Sequence, residues 1–125
     1  MQHYFIEKQH KKEDYFTYTE TFNGKTYIMN SVDSVFSKDG FDEGTKVLLN
    51  TILKNYELEG DVLDVGCGVG VIGIVLKTEY PNIAIDMLDV NNTAVELSIK
   101  NCKQNKVDNN VFQSNLYDKV DKKYR

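Results

Sequence analysis

Paired cysteines are what this sequence most plainly lacks. Its two, Cys67 and Cys102, stand 35 positions apart with no CxxC or Cys/His spacing around them, so neither a zinc cluster nor a disulfide framework organises the chain and reduced thiols are expected. His3 and His10 sit in a polar leader without an acidic pair at ligand spacing, and no metal is expected. Proline is nearly absent: Pro81 stands alone, and with 41% hydrophobic and 27% charged residues the composition is that of an ordinary globular protein rather than a disordered one. No apolar run approaches the roughly 18 residues of a membrane span, and MQHYFIEKQHKKEDYF has no signal-peptide core, so a cytoplasmic protein with no membrane partner is expected. A surplus of positive charge is also missing. The net charge of -4 argues against a nonspecific grip on nucleic acid, and Lys8, Lys11 and Lys12, like Lys119, Lys122, Lys123 and Arg125, are interleaved with acids as solvated charge usually is. At 125 residues the chain is one domain with room for a core.

What is present is a sequence of clear periodicities. Aromatic and β-branched residues from Tyr15 to Phe22 and from Lys25 to Met29 flank Asn23-Gly24, the strongest short signal for a two-residue hairpin. Between Gly44 and Tyr56, Leu48, Leu49, Ile52, Leu53 and Tyr56 fall on one stripe of a helix. Then the pattern becomes strand (Asp61 to Val65), glycine loop, helix (Val71 to Tyr80, stopped by Pro81), strand (Ile83 to Val90), helix (Thr93 to Gln104) and short strand (Val111 to Ser114). In the last helix Val95, Ile99 and Cys102 are expected to share the buried face, and Thr93 with Glu96 fits a capping box. Such alternation predicts an α/β fold, a Rossmann-like parallel sheet with helices on both sides. The handover near Ser31 to Gly40 divides a leader and hairpin (1–34) from the α/β part (35–125).

Chemistry concentrates in Val62-Leu63-Asp64-Val65-Gly66-Cys67-Gly68-Val69-Gly70, a buried strand running into alternating glycines and a helix. The helix start offers free N–H groups and its positive dipole end, a place for a ligand's anionic group. Gly68, Gly70 and Gly73 satisfy GxGxxG literally, yet counted from Gly66, the first glycine after the strand, the third required position is Val71, so the dinucleotide register fails. The aligned reading is DxGxGxG. Asp64 would sit badly beside a pyrophosphate and well beside the cationic amino group of a methionine moiety, which favours S-adenosylmethionine over NAD. Asp89, 19 residues beyond Gly70, suits both hydroxyls of a ribose, and losing it should weaken cofactor binding with little effect on stability; the competing role is a cap for the next helix, which Asn91 or Asn92 could equally fill. Asn115 follows the third strand, where an amide could read an adenine edge.

The runs VLDVGCGVGVIGI, LDVNNTAVELSIKNCKQN and VFQSNLYDKV resemble the first three motifs of class I methyltransferases, and the segment VFSKDGFDEGT, from Val35 to Thr45, resembles an element of the small-domain group that includes bacterial 16S ribosomal RNA guanine-N2 methyltransferases. That resemblance implies an S-adenosylmethionine-dependent enzyme acting on ribosomal RNA or the small ribosomal subunit. It implies that Gly66, Cys67, Gly68 and Gly70 wrap the methionine part and that Asp64 acts near its amino group. Asp89 and Val90 would hold the ribose, Asn115 and Leu116 would flank the adenine, and Phe36, Asp42 and Thr45 would line the entrance. Those enzymes place the nucleophilic amine with an Asn-Pro-Pro element after a fourth strand. This sequence holds none, so the catalytic residues are expected beyond Arg125, the 125-residue chain alone is expected to be inactive, and the exposed edge of its first parallel strand is expected to give self-association, a displaced segment or marginal stability. A protein glutamine methyltransferase shares the same motifs, and a noncatalytic cofactor-binding module and an NAD-linked oxidoreductase are the other rivals.

Overall fold

A computed structural model describes residues 14–32 and 40–115. A hairpin of β1 (Tyr15–Phe22) and β2 (Lys25–Val32) is followed by α1 (Glu43–Asn55), β3 (Asp61–Val65), α2 (Val71–Glu79), β4 (Ala84–Asp89), α3 (Asn92–Gln104) and β5 (Asn110–Gln113). The hairpin is in register from Tyr15 opposite Val32 to Phe22 opposite Lys25, and both turn residues, Asn23 and Gly24, have positive φ (53° and 80°), as a type I′ turn demands. Three strands form the parallel sheet in the order β3-β4-β5, so β4 is central and β3 pairs, among the described residues, with β4 alone. The burial follows the order: Ile85, Asp86, Met87 and Leu88 of β4 are buried in succession, both faces included, whereas β3 is half-exposed along its length and Val65 is 42% exposed.

One apolar cluster joins the hairpin to the α/β unit. Phe22, Tyr27 and Met29 share it with Leu49 of α1, Ile74 to Leu76 of α2, and Ile85 and Met87 of β4. Each fully buried side chain of this kind is worth about 1.5–3 kcal/mol over leaving it in water. α2 lies very close to β4 at Gly73, where an added Cβ would stand 2.7 Å from Met87 Sδ and 3.1 Å from its Cγ. The third glycine of the apparent dinucleotide signature is therefore a packing residue. Tyr80, at the end of α2, donates its hydroxyl to the Tyr56 carbonyl at the end of α1 (2.8 Å).

A second seam is polar. Asn101 and Asn105 stand four residues apart, one helical rise of about 6 Å, and face Ile28 and Asn30, two residues apart on a strand and separated by nearly the same distance. Each side-chain amide takes both backbone groups of its partner. Ile28 N–H donates to Asn105 Oδ1 (3.0 Å) while Asn105 Nδ2 donates to Ile28 O (2.8 Å); Asn30 N–H donates to Asn101 Oδ1 (2.7 Å) while Asn101 Nδ2 donates to Asn30 O (3.0 Å). The helix thereby imitates a neighbouring strand and closes the open edge of β2.

Several expectations are corrected here. β2 runs on to Val32, because Asn30 and Ser31, polar enough to read as a loop, are both buried, Asn30 at this seam. α3 is capped by Asn91, whose side chain accepts the Ala94 N–H (3.0 Å), rather than by a Thr93–Glu96 box. Its inward face runs through Ala94, Leu97, Ser98, Asn101 and Cys102, with Val95 at its margin, while Ile99 is 39% exposed. On α1 only Leu49 is fully buried, with Ile52 and Leu53 half-buried and Leu48 and Tyr56 exposed. No helix among the described residues is long and apolar enough to cross a membrane.

Candidate functional site

The glycine loop leaves β3 and is held by its neighbours atom by atom. Gly66 and Cys67 N–H both donate to the Leu88 carbonyl of β4 (2.9 Å each), Gly68 N–H donates to Asp89 Oδ2 (3.0 Å), and Gly70 N–H closes a turn on the Cys67 carbonyl (2.9 Å). From the other side, Ser98 Oγ donates to Gly68 O (2.7 Å) and Asn101 Nδ2 to Val69 O (2.8 Å). Gly66 and Gly70 have φ of 70° and 102°, which side chains resist. Their surroundings differ. A Cβ on Gly70 would press on Ser98, Ile74 and Met87 at 3.2–3.3 Å, whereas a Cβ on Gly66 would enter open space, with nothing within 4 Å. Gly66 leaves room where a ligand would approach the backbone.

Two carboxylates flank the loop. Asp89 ends β4 and divides its oxygens between Gly68 N–H and Asn91 N–H (3.0 Å each), so it ties the loop to the start of α3. A carboxylate has about four acceptor positions, which leaves capacity for a diol. The helix cap is Asn91, so capping is not Asp89's role, but the two backbone bonds overturn the expectation that its loss would leave stability nearly untouched. Asp64 ends up under the same loop. Burial, with Asp89's charge adding to it, pushes its carboxyl up from 3.8 to about 6, against a hydrogen bond from the Gly73 backbone, and Oδ2 is buried with no hydrogen-bond partner. An orphan oxygen on a buried acid beside a second acid is short of a cation.

The remaining candidates are placed as follows. Cys67 is buried against Ser98 Oγ (3.4 Å), and burial raises its thiol to about 12, so it is an unreactive thiol. Val90 is 40% exposed and its carbonyl accepts from Gln113 Nε2 (3.1 Å). Asn115 is exposed and follows Ser114, whose N–H donates to Asp89 O (3.0 Å), so the end of β5 lies beside the acid. Asp42 is the N-cap of α1, accepting the Thr45 N–H (2.7 Å). Phe36 and Leu116 lie outside the described residues. Sequence reading missed Ser98 and Asn101. Their one signal was polar side chains three apart on a helix face otherwise made of Ala94, Leu97 and Cys102.

Known proteins give this arrangement its context. The chain is 39% identical over 121 residues to the uncharacterized protein YbxB of Bacillus subtilis, covering 96% of this chain and 60% of that one. It is 40% identical over 115 residues to ribosomal RNA small subunit methyltransferase C of Aliivibrio fischeri, covering 91% of this chain and 33% of the relative. The chain thus spans from a third to three-fifths of these relatives. Among solved structures, the T. thermophilus 16S rRNA N2-guanine methyltransferase in complex with AdoMet and guanosine superposes with a TM-score of 0.79 at 18% identity, covering 89% of this chain and 30% of that one. M. jannaschii TYW2 in complex with AdoMet superposes at 0.61 and 19% identity, covering 84% and 44%. At these identities the likeness establishes the Rossmann-like methyltransferase fold. The family model described as the methyltransferase small domain matches residues 26–125, from β2 through the glycine loop to the last residue, and the chain belongs to that family.

Proposed function

We propose that this chain holds S-adenosylmethionine at the glycine loop and forms the cofactor-binding part of a methyltransferase acting on an exocyclic amine of 16S ribosomal RNA, guanine N2. The observation that carries the reading is the buried Asp64 oxygen without a partner beneath a glycine loop that is open at Gly66. A methionine ammonium supplies the missing cation, and a pyrophosphate would bring more negative charge to a place that already holds Asp64 and Asp89. Asp89 keeps acceptor capacity for ribose hydroxyls, and the end of β5, with Asn115, is the side from which an adenine would be flanked. Phe36, Asp42 and Thr45 are assigned to the entrance. The relatives' names direct the substrate assignment to ribosomal RNA.

When bound, the cofactor supplies a methyl group already activated on a sulfonium. The chain's task is placement: the loop and both acids fix the donor, so that an amine held in line needs no strong base. Isothermal calorimetry tests this reading. S-adenosylhomocysteine should bind the chain and NAD should not; the reverse result would overturn it. The substrate is tested by labelled methyl transfer to 16S rRNA against transfer to a release factor, using a protein that carries this chain together with an Asn-Pro-Pro loop. Transfer to the release factor alone would move the assignment to protein glutamine.

A further inference from the structure

We infer that Ser98 and Asn101 of α3 are positioning residues for the cofactor loop, and that through Asn101 the N-terminal hairpin sets cofactor affinity without touching the cofactor. The inference rests on the reading of the glycine loop as the S-adenosylmethionine site.

Asn101 is wholly buried and uses its amide completely. Oδ1 accepts from Asn30 N–H (2.7 Å) and Asn30 Nδ2 (2.8 Å), and Nδ2 donates to Asn30 O (3.0 Å) and to Val69 O (2.8 Å). Three of those bonds belong to the hairpin and one to the loop, so one rigid group spans both. Asn30 is itself fixed, its Oδ1 accepting from Thr17 Oγ1 (2.8 Å) and its Nδ2 donating also to Gln104 Oε1 (2.6 Å). Ser98, also wholly buried, holds the preceding carbonyl, Gly68 O, at 2.7 Å.

Two consecutive loop carbonyls are therefore turned toward α3. In a trans peptide the N–H points opposite to the C=O of the same plane. Holding Gly68 O turns the Val69 N–H away from α3, and holding Val69 O fixes the plane from which Gly70 N–H reaches the Cys67 carbonyl. Glycine-flanked planes flip easily, because Gly68 and Gly70 accept many φ/ψ combinations. Without the two donors the loop would have to be ordered by the ligand, and that ordering subtracts from affinity.

Asn105 provides the comparison that separates positioning from general support. It makes the same paired bonds to the hairpin at Ile28, and its side chain has no bond to the loop. The experiment uses the whole chain in four forms, wild type, Asn101→Ala, Asn105→Ala and Ser98→Ala, with S-adenosylhomocysteine calorimetry well below every melting temperature and amide hydrogen exchange at Gly68 to Gly70. Both asparagine variants should lower the melting temperature. Asn101→Ala should weaken binding about tenfold or more and speed loop exchange, whereas Asn105→Ala should stay within about twofold of wild type. Wild-type affinity in Asn101→Ala, or an equal loss in Asn105→Ala, would overturn the inference. Should Asn101→Ala fail to fold, Ser98→Ala decides the loop positioning, since it leaves the hairpin seam intact, and Asn30→Ala, which removes a side-chain bond to Asn101 Oδ1 and leaves the Asn101–Val69 pair in place, decides the coupling to the hairpin: several-fold weaker binding supports that part of the inference and unchanged binding overturns it. Failure of wild type to bind S-adenosylhomocysteine would strike the proposed function instead, and loop exchange in the variants would still report on the positioning.

Discussion

Asp64 sets stability and binding against each other. Its carboxyl stands at about 6 in the folded chain against 3.8 when unfolded, so its contribution to stability is whole below about pH 3.8 and is lost as pH rises through about 6. At neutral pH the folded chain carries a buried charge, at a cost of about 3 kcal/mol. Asp64→Asn should therefore raise the melting temperature of the unliganded chain at pH 8, raise it by about half as much at pH 5, change it little below about pH 3.8, and weaken S-adenosylhomocysteine binding above pH 6. Wild-type affinity should climb as pH rises from 5 to 7 and then level off. A lower melting temperature for Asp64→Asn at pH 8 would show that the ionised carboxylate is structural. Asp89 contrasts with it, because each of its oxygens already has a backbone donor. Asp89→Ala should lose both affinity, by about tenfold or more, and melting temperature. The sequence marked both acids through their spacing from the glycines. It could not show that Asp64 is short of a partner and Asp89 is not, because that depends on where Gly68, Gly73 and Asn91 turn their amides.

Elements whose order is written locally were legible: the Asn-Gly turn, the glycine run after β3, Pro81 behind α2. α3 was not. Its inward face carries Ser98, Asn101 and Asn105 because their bonding partners come from the hairpin and the glycine loop, 30 to 77 residues away, and no periodicity of apolar residues records such partners. The same remoteness hid the last three residues of β2. Packing of α2 on β4 is testable at Gly73. Gly73→Ala gains helix propensity of up to about 1 kcal/mol, yet its methyl must displace Met87, wholly buried, at a cost of about 1–3 kcal/mol. We expect a lower melting temperature and a double-mutant cycle with Met87→Ala in which the two losses are less than additive. Strict additivity would mean that the helix shifts as a whole.

At the scale of the molecule, β3 is an outer strand of the parallel sheet among the described residues. Among the described residues β3 pairs with β4 only, Val65 is 42% exposed, and Val47, Leu48 and Tyr56 of the preceding helix segment are exposed at 62%, 46% and 60%. An apolar strand edge of this kind recruits another strand. A second copy of the chain is the partner we expect, and sedimentation should show weight-average mass rising with concentration, reduced by Val65→Lys. A monomer at every concentration would contradict this.

The hairpin also gives the chain an order of assembly. It is closed by a local turn and is the first described element to leave the ribosome, but Asn30 waits for Asn101, 71 positions later. At synthesis rates of about 5–20 residues per second that is an interval of seconds, during which the open edge of β2 and the polar side chains meant for α3 face water or a chaperone. Only when α3 has emerged is the edge of β2 closed, and the same helix pins Val69. On the inferred role of Asn101, the nascent protein cannot grip its cofactor before α3 has emerged, and completion of the loop coincides with burial of the open edge of β2.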